Sequence, residues 1–250
     1  MLFRSNKSEI HLMRESGKRL RNVVDSLIPF IKPGISTNEI DTKAEYFIKK
    51  NNGKSSFKSV KRYFWSTCLS INEQVVHTPP SSRILIDGDI LTLDIGLLFK
   101  GYHTDFATTF IVGKMKRKDD LIFLKTGKKT LNKAIDKVKM GNYIGEISYT
   151  IQNEIEKMKF SIIPELTWHG IGRELHEDPL VPCFLDRPIK KTYKMPEGLV
   201  LAIEVIYTKG SGKIKYEKNN NWSLVTKDNS LAACFENTVA ITDKEAVILV

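Results

Sequence analysis

The feature that constrains this chain most is a carboxylate in the middle of an apolar run. Glu204 lies within residues 198–207, Gly-Leu-Val-Leu-Ala-Ile-Glu-Val-Ile-Tyr, where apolar and polar residues do not alternate. A strand with one solvated face alternates them, so this run predicts a strand buried on both faces. A buried carboxylate without a partner costs several kcal/mol or stays protonated. The sequence therefore predicts a compensating partner for Glu204.

Other carboxylates occur in similar settings. Asp94 lies in Ile-Leu-Thr-Leu-Asp-Ile, Asp105 in Tyr-His-Thr-Asp-Phe-Ala, and Glu236 in Ala-Cys-Phe-Glu-Asn-Thr-Val. Several buried like charges are tolerated together only with positive charge between them, and a metal cluster is the usual source. The pattern therefore indicates a metalloenzyme.

Asp94 and Asp105 flank an apolar stretch whose turn lies near residues 99–101. A two-residue loop at 99–100 would pair the two residues directly, and a loop at 100–101 would make them diagonal neighbours on the same face. Either register brings the two carboxylates together from adjacent strands. The alternative is a like-charge pair on a solvated face, which is destabilising. We therefore expect both carboxylates to converge on a metal.

A glycine-rich segment, His169-Gly-Ile-Gly-Arg-Glu-Leu-His176, supplies two histidines. A single histidine in such a segment is often structural. Together with the carboxylates, His169 offers the nitrogen ligand common in Mn, Fe, Co and Zn sites. Two metals bridged by carboxylates would lower the pKa of a shared water and stabilise a tetrahedral intermediate.

Composition places few further constraints on the chain. Its 250 residues are 41% hydrophobic and 27% charged, as in soluble globular proteins. No stretch approaches the roughly 20 apolar residues of a membrane span, and the N-terminus lacks a secretory signal. Cys68, Cys183 and Cys234 are widely separated, which is typical of reduced thiols. We therefore expect a cytoplasmic protein without a membrane partner.

The net charge of +10 favours contact with polyanions such as ribosomal RNA. The lysines, however, form only short clusters without interleaved aromatic residues, so we favour solvated helix faces as their explanation. The ribosome stays open as a partner, and DNA is not expected.

The elements can be predicted from periodicity and capping signals. Asn6 with Glu9, and Ser36 with Glu39, indicate the starts of two helices, the first ending at Pro33-Gly34. Strands are expected near 67–71, 90–98 and 102–112, and helices near 119–139 and 145–157. Strands fill the remainder, apart from a polar loop at 209–221.

An internal duplication underlies this order. Residues 16–19, 32–40 and 88–94 resemble residues 126–129, 139–147 and 198–204, at offsets of 110, 107 and 110. We infer two similar α+β halves, roughly 1–115 and 116–250, related by a pseudo-twofold axis within one catalytic domain. Asp94 and Glu204 occupy equivalent positions, which would place the metals at the junction.

Asp94, Asp105, His169, Glu204 and Glu236, in this order, resemble the five-ligand set of the methionine aminopeptidases. The surrounding strings at 69–77, 169–172, 176–179 and 221–228 are similar too, and the resemblance covers nearly the whole chain. It implies the pita-bread fold, a curved antiparallel sheet covered by helices. Without an extra N-terminal domain or a long helical insert, the chain resembles the short bacterial-type form.

The resemblance also implies a mechanism with two divalent ions (Co, Mn, Fe or Zn). Asp94, Asp105 and Glu236 would hold one ion, and Asp105, His169, Glu204 and Glu236 the other. A hydroxide activated by both would attack the first peptide bond of nascent chains that begin with methionine, with Glu204 assisting proton transfer. His176 would stabilise the oxyanion, and His77 would contact the substrate backbone. The alternatives for His77 and His176 are structural roles.

The methionine pocket is expected to contain Cys68, Tyr63 and Trp222. Here the chain departs from the family. Lys-Arg-Tyr-Phe-Trp-Ser (61–66) replaces Gly-Tyr-Pro-x-Ser, and Trp168 precedes His169 at a position where glycine is common. Leu175 also replaces the aromatic residue that usually precedes the His-Glu-x-Pro motif.

The expected function is removal of initiator methionine by a monomeric enzyme. The alternatives are a Xaa-Pro aminopeptidase of the same fold and a non-catalytic binding protein that contacts the ribosome or polypeptides.

Overall fold

The computed structural model describes residues 5–243 and 245–250. Four helices are formed: α1 Lys7–Leu27, α2 Thr37–Lys50, α3 Lys118–Ile135 and α4 Gly145–Lys157. The strands of the first half of the chain are β1 Lys54–Ser55, β2 Thr67–Ile71, β3 Gln74–Val76, β4 Ile90–Phe99 and β5 Tyr102–Ile111. Those of the second half are β6 Ser161–Ile162, β7 Thr167–Gly170, β8 Glu177–Pro182, β9 Val200–Thr208, β10 Ile214–Tyr216, β11 Leu224–Thr226, β12 Ala232–Ile241 and β13 Ala246–Ile248.

The first two helices begin where their capping signals predict. Asn6 accepts hydrogen bonds from the backbone N–H groups of Ser8 and Glu9, and the Glu9 carboxylate accepts from the Asn6 N–H. Ser36 and Glu39 form the same reciprocal pair at the start of α2. These capping boxes satisfy N–H groups that a helix leaves free at its N-terminus.

Three predicted boundaries were wrong. Helix α1 ends at Leu27, before Pro33-Gly34, and a short 3-10 turn at Ile28–Phe30 follows because Pro29 cannot continue the α-helical hydrogen bonds. Helix α3 ends at Ile135 instead of residue 139. The expected loop at 209–221 contains strand β10, which pairs with β11.

One antiparallel sheet organises the molecule. Its main path runs β1-β4-β5-β12-β9-β7-β8, with β2, β6 and β13 paired at its sides. Strands β10, β11 and β3 form a second, three-stranded sheet. The long central strands β4, β5, β9 and β12 are buried along most of their length. This arrangement confirms the α+β class expected from the sequence.

The helices cover the sheet in two pairs. Helices α1 and α2 share an apolar core with β4 and β5, and α3 and α4 share another with β9 and β12. Each core therefore draws most of its residues from one half of the sequence. The division into two halves of a single domain near residue 115 stays a prediction.

The β4–β5 hairpin adopts one of the two registers considered from the sequence. Its loop is Lys100-Gly101, so Asp94 pairs with Ala107 and Asp105 pairs with Gly96. Lys100 and Gly101 both have positive φ, 49° and 84°, as tight two-residue hairpin turns of type I′ require. Phe99 at such a position would be strained, whereas Gly101 is not. The second, diagonal register considered from the sequence is therefore correct.

Candidate metal centre

Five neighbouring strands each contribute one side chain to a single site. In order across the sheet these are Asp94 on β4, Asp105 on β5, Glu236 on β12, Glu204 on β9 and His169 on β7. The strand pairing therefore places residues that are distant in sequence side by side.

The register brings these side chains to one face. Asp94 and Glu236 both lie opposite Ala107, and Glu236 lies directly opposite Glu204. Asp105 is two residues from Ala107 on β5, and His169 lies opposite Ala202, two residues from Glu204. Since side chains alternate between faces along a strand, all five project to the same side. The methyl group of Ala107 leaves space between the carboxylates.

These side chains line one cavity together with every other residue predicted for the site. The cavity has a volume of about 150 Å³, and the predicted residues in its wall are Asp94, Asp105, His169, Glu204, Glu236, His77, His176, Cys68, Tyr63 and Trp222. Phe57, Val60 and Leu175 complete the wall. We did not predict Phe57 and Val60, because no spacing or charge in their segment distinguishes them from core residues. Leu175 was noted only as a departure from the family pattern.

None of the described residues that line the cavity is a lysine or an arginine. Burial raises the pKa of Asp105 to about 7. Burial, followed by the charge of Asp105, raises the pKa of Glu204 to about 8. The pKa values of Asp94 and Glu236 lie well above their usual range, again through burial first and neighbouring carboxylates second. Four ionised groups cannot coexist here without a cation.

Glu236 gives the most direct sign that a cation fits. Its Oε1 atom is buried and has no hydrogen-bond partner. Buried carboxylate oxygens are normally paired, so this atom requires a partner such as a metal ion. Asp105, His169 and Glu236 each offer a ligand atom, and these atoms lie within 4.8 Å of one another. Oxygen and imidazole ligands of this mixture suit divalent transition metals.

His169 is held in the form that a metal ligand requires. Its Nδ1 lies 2.8 Å from the backbone carbonyl oxygen of Gly170, so Nδ1 carries the proton and Nε2 is left with a lone pair. The Nε2 atom lies 3.6 Å from Glu204 Oε1. Burial lowers the pKa of His169 to about 4, which keeps the imidazole neutral near pH 7. Gly170 approaches the Asp178 carbonyl so closely that a Cβ atom would clash.

His176 and His77 also line the cavity. The rings of His169 and His176 are in edge contact, with centroids 4.5 Å apart. Both His77 and His176 are solvent-accessible, although protein atoms surround them closely enough to lower their pKa values. His77 follows β3 with a positive φ of 58°, an uncommon conformation that turns the chain at the cavity.

Aromatic rings and a thiol form the apolar wall. The Tyr63 hydroxyl donates to the Thr67 carbonyl oxygen at 2.8 Å and lies 3.1 Å from the Cys68 sulfur. The Tyr63 ring is in edge contact with Trp222, at 5.1 Å between centroids. Trp65 is in edge contact with Tyr63, at 5.4 Å between centroids, and is not one of the residues that line the cavity. Trp168 is fully buried in the second-half core, so it is a packing residue.

Comparison with known proteins agrees with this geometry. A sequence model described as Metallopeptidase family M24 matches residues 11–243. Methionine aminopeptidase 1 of Bacillus subtilis is 40% identical over 243 residues, 97% of this chain and 96% of the relative. The crystal structure of methionine aminopeptidase from Thermotoga maritima superimposes with a TM-score of 0.94 at 33% identity, covering 100% and 99% of the two chains.

A more distant structure shares the fold alone. Prolidase from Pyrococcus furiosus has a TM-score of 0.78 at 22% identity, covering 98% of this chain but 64% of the prolidase. The neighbours confirm the pita-bread fold, and the family is one of metal-dependent peptidases. The chain therefore belongs to metallopeptidase family M24, alongside the methionine aminopeptidases of similar length.

Proposed function

We propose that this protein removes the N-terminal methionine from nascent polypeptides as a metal-dependent aminopeptidase. The observation that carries the proposal is a row of four carboxylates and one imidazole on five neighbouring strands. These side chains line a cavity that also has an apolar wall. Full-length similarity to methionine aminopeptidases supports this substrate class.

We further propose that the protein acts in the cytoplasm as a monomer. No helix in residues 5–243 or 245–250 is long and apolar enough to cross a membrane.

The proposed site holds two divalent ions. Asp94, Asp105 and Glu236 would ligate one ion, and Asp105, His169, Glu204 and Glu236 the other. When bound, such ions lower the pKa of water and polarise a carbonyl oxygen. The raised carboxylate pKa values support the assignment, because the unpaired negative charges require positive charge to ionise together.

The remaining polar residues would handle the substrate and the proton. Glu204 would receive a proton from the attacking water and pass it to the departing amine. His176, whose pKa is lowered by the protein atoms that surround it, would donate a hydrogen bond to the carbonyl oxygen as negative charge develops there. His77 would hydrogen-bond the backbone of the peptide as it leaves the cavity.

The apolar wall would select the side chain of the first residue. Tyr63, Cys68 and Trp222 surround this part of the cavity, with Phe57 and Val60 beside them. Burial and the nearby Asp94 keep the pKa of Cys68 well above its usual value, so it presents a thiol. A soft, unbranched side chain such as methionine suits a wall of rings and sulfur.

Peptide hydrolysis tests the proposal. Metal-stripped protein would receive Mn²⁺, Co²⁺, Fe²⁺ or Zn²⁺ and be assayed on Met-Ala-Ser, Leu-Ala-Ser and Ala-Pro-Ala. We expect metal-dependent cleavage of Met-Ala-Ser alone. Cleavage of Ala-Pro-Ala would identify a Xaa-Pro enzyme, and no turnover by folded protein with any metal would favour a non-catalytic binding protein.

A further inference from the structure

Two buried cysteines contact Glu204, each at a different part of the residue. The Cys183 sulfur lies 3.6 Å from the Glu204 backbone carbonyl oxygen. The Cys234 sulfur lies 4.0 Å from Glu204 Oε2. Both thiols are free and buried, with exposed fractions of 0% and 2%. A thiol is a weak hydrogen-bond donor, so both contacts can orient the glutamate.

Cys183 occupies a gap at one edge of strand β9. On this edge, β7 pairs with residues 201 and 202, and β6 pairs with residues 207 and 208. Residues 203–206, between these two pairings, have no strand partner on that side among the described residues. The Cys183 thiol contacts the Glu204 carbonyl oxygen and accepts a hydrogen bond from the Ile206 N–H. One side chain thus satisfies backbone groups that a neighbouring strand would otherwise pair.

Cys234 reaches the carboxylate of Glu204 across the sheet. It lies two residues before Glu236 on β12, so both side chains project to the same face. Glu236 is directly opposite Glu204, which makes Cys234 a diagonal neighbour of Glu204. The two oxygens of Glu204 therefore have different partners, since Oε1 lies toward His169 and Oε2 toward Cys234.

We propose that Cys183 and Cys234 are positioning residues for Glu204, fixing its backbone and its carboxylate, respectively. The S–H group of Cys234 engages Oε2 and leaves Oε1 directed at the proposed metal site. Cys183 holds the β9 backbone at a point where the sheet gives no support. This inference rests on the proposed function, because it assigns Glu204 a role beside the metal.

Metal binding by stripped protein tests the role of Cys234. Outer-shell hydrogen bonds to metal ligands typically contribute about 10–100-fold to affinity. We expect Cys234→Val, which is similar in volume but lacks the S–H donor, to weaken Co²⁺ binding by roughly tenfold. Cys234→Ser should restore most of that affinity. Calorimetric titration gives the affinity, and the Co²⁺ absorption spectrum should shift only in the valine variant.

The test of Cys183 uses the same pair of replacements. Cys183→Val removes the group that pairs with Glu204 and Ile206, whereas Cys183→Ser retains it. We expect weaker Co²⁺ binding and a lower kcat on Met-Ala-Ser with valine, an almost unchanged KM, and recovery with serine. Ile203→Val is the matched control, since Ile203 precedes Glu204 and packs in the core on the other face of the sheet.

The outcomes separate this inference from the proposed function. If wild-type protein binds no metal, the proposed function fails. If wild-type protein binds Co²⁺ and both valine variants bind it with the same affinity and spectrum, the positioning role is wrong. A sulfur-to-cobalt charge-transfer band in wild-type protein would make a cysteine a direct ligand and would also overturn it. If a valine variant does not fold, Cys183→Ala or Cys234→Ala provides the same comparison with serine.

Discussion

At the scale of single residues, Asp105 is the carboxylate on which the proposed metal site depends most. It is buried, and its Oδ1 accepts a hydrogen bond from the Phe106 N–H at 3.0 Å. We expect Asp105→Asn to retain this contact but to remove a negative charge that would ligate the metal in the proposed site. The loss of metal affinity should exceed the roughly 10–100-fold caused by losing an outer-shell partner.

Calorimetric titration of the stripped Asp105→Asn variant with Co²⁺ measures this loss. Asp25→Asn is the control, because Asp25 is an exposed carboxylate paired with Arg21 on α1. Turnover and metal stoichiometry equal to those of wild-type protein would contradict the assignment of Asp105.

Substitution of His176 should lower kcat much more than it lowers the affinity for metal. In the proposed mechanism it donates to the developing oxyanion and ligates no ion. We expect His176→Ala to lower kcat by about 10²–10³, the usual cost of losing one such donor, with Co²⁺ affinity almost unchanged. The measurements are steady-state kinetics on Met-Ala-Ser and metal titration of the same preparation. Equal losses of affinity and rate would show that His176 acts through the metal site.

At the scale of single elements, strand β5 keeps the site open through Ala107. This residue lies opposite both Asp94 and Glu236, so a larger side chain would project between those carboxylates. We expect Ala107→Leu to fold with a destabilisation of about 1–3 kcal/mol from overpacking. Its Co²⁺ binding should be largely lost, whereas Ala107→Ser should bind normally. Wild-type Co²⁺ affinity in the leucine variant would disprove the role of this space.

The capping box of α2 should contribute to the stability of the fold but not to catalytic activity. Ser36→Ala removes the acceptor for the Glu39 N–H and should cost about 1 kcal/mol. For a chain of this size, such a loss lowers Tm by about 2–4 °C. Calorimetry with metal present measures the shift. Activity below the denaturation range should be unchanged, and a large loss of kcat would show that α2 also supports the site.

At the scale of the whole molecule, the charged cavity should make stability depend on pH when metal is absent. Asp105 and Glu204 have folded-state pKa values of about 7 and 8, above their ordinary values of 3.8 and 4.5. The folded state therefore holds protons that the unfolded state has released, and the free energy of unfolding falls as pH rises. Asp94 and Glu236 have the same sign.

The histidines oppose this fall in the free energy of unfolding at low pH, so the fall is expected mainly above about pH 6.5. His77, His103 and His169 have pKa values of about 4 instead of 6.5, and the pKa of His176 is also lowered. These histidines therefore stabilise the fold increasingly as pH rises from about 4 to about 6.5. The unfolded-state histidines are half neutral at about pH 6.5 and almost fully neutral about one pH unit higher, so the carboxylates dominate above pH 6.5. We therefore expect the Tm of chelated protein to fall from pH 6.5 to pH 8.5. Saturating Mn²⁺ should remove the fall, and a Tm that rises with pH without metal would contradict the model of the site.

The sequence by itself determined the composition of the site and the starts of the first helices. Buried carboxylates within apolar strands are costly, so Asp94 and Glu204 could be recognised as candidate metal ligands without any tertiary information. The capping boxes at Asn6 and Ser36 are local and therefore visible in the sequence. The resemblance then placed His77, His176 and Trp222 beside these carboxylates.

Only the tertiary structure decided how these residues meet. The diagonal placement of Asp94 and Asp105 depends on the turn at Lys100-Gly101, and periodicity alone cannot fix that register. The space that Ala107 leaves between the carboxylates, and the position of Phe57 in the cavity wall, depend on contacts between distant segments. The thiols of Cys183 and Cys234 show no motif, and they reach Glu204 only because β9 lies beside β12 and has a gap on its other edge. Local sequence encodes local hydrogen bonds and charge, whereas strand order and register arise from packing of the whole chain.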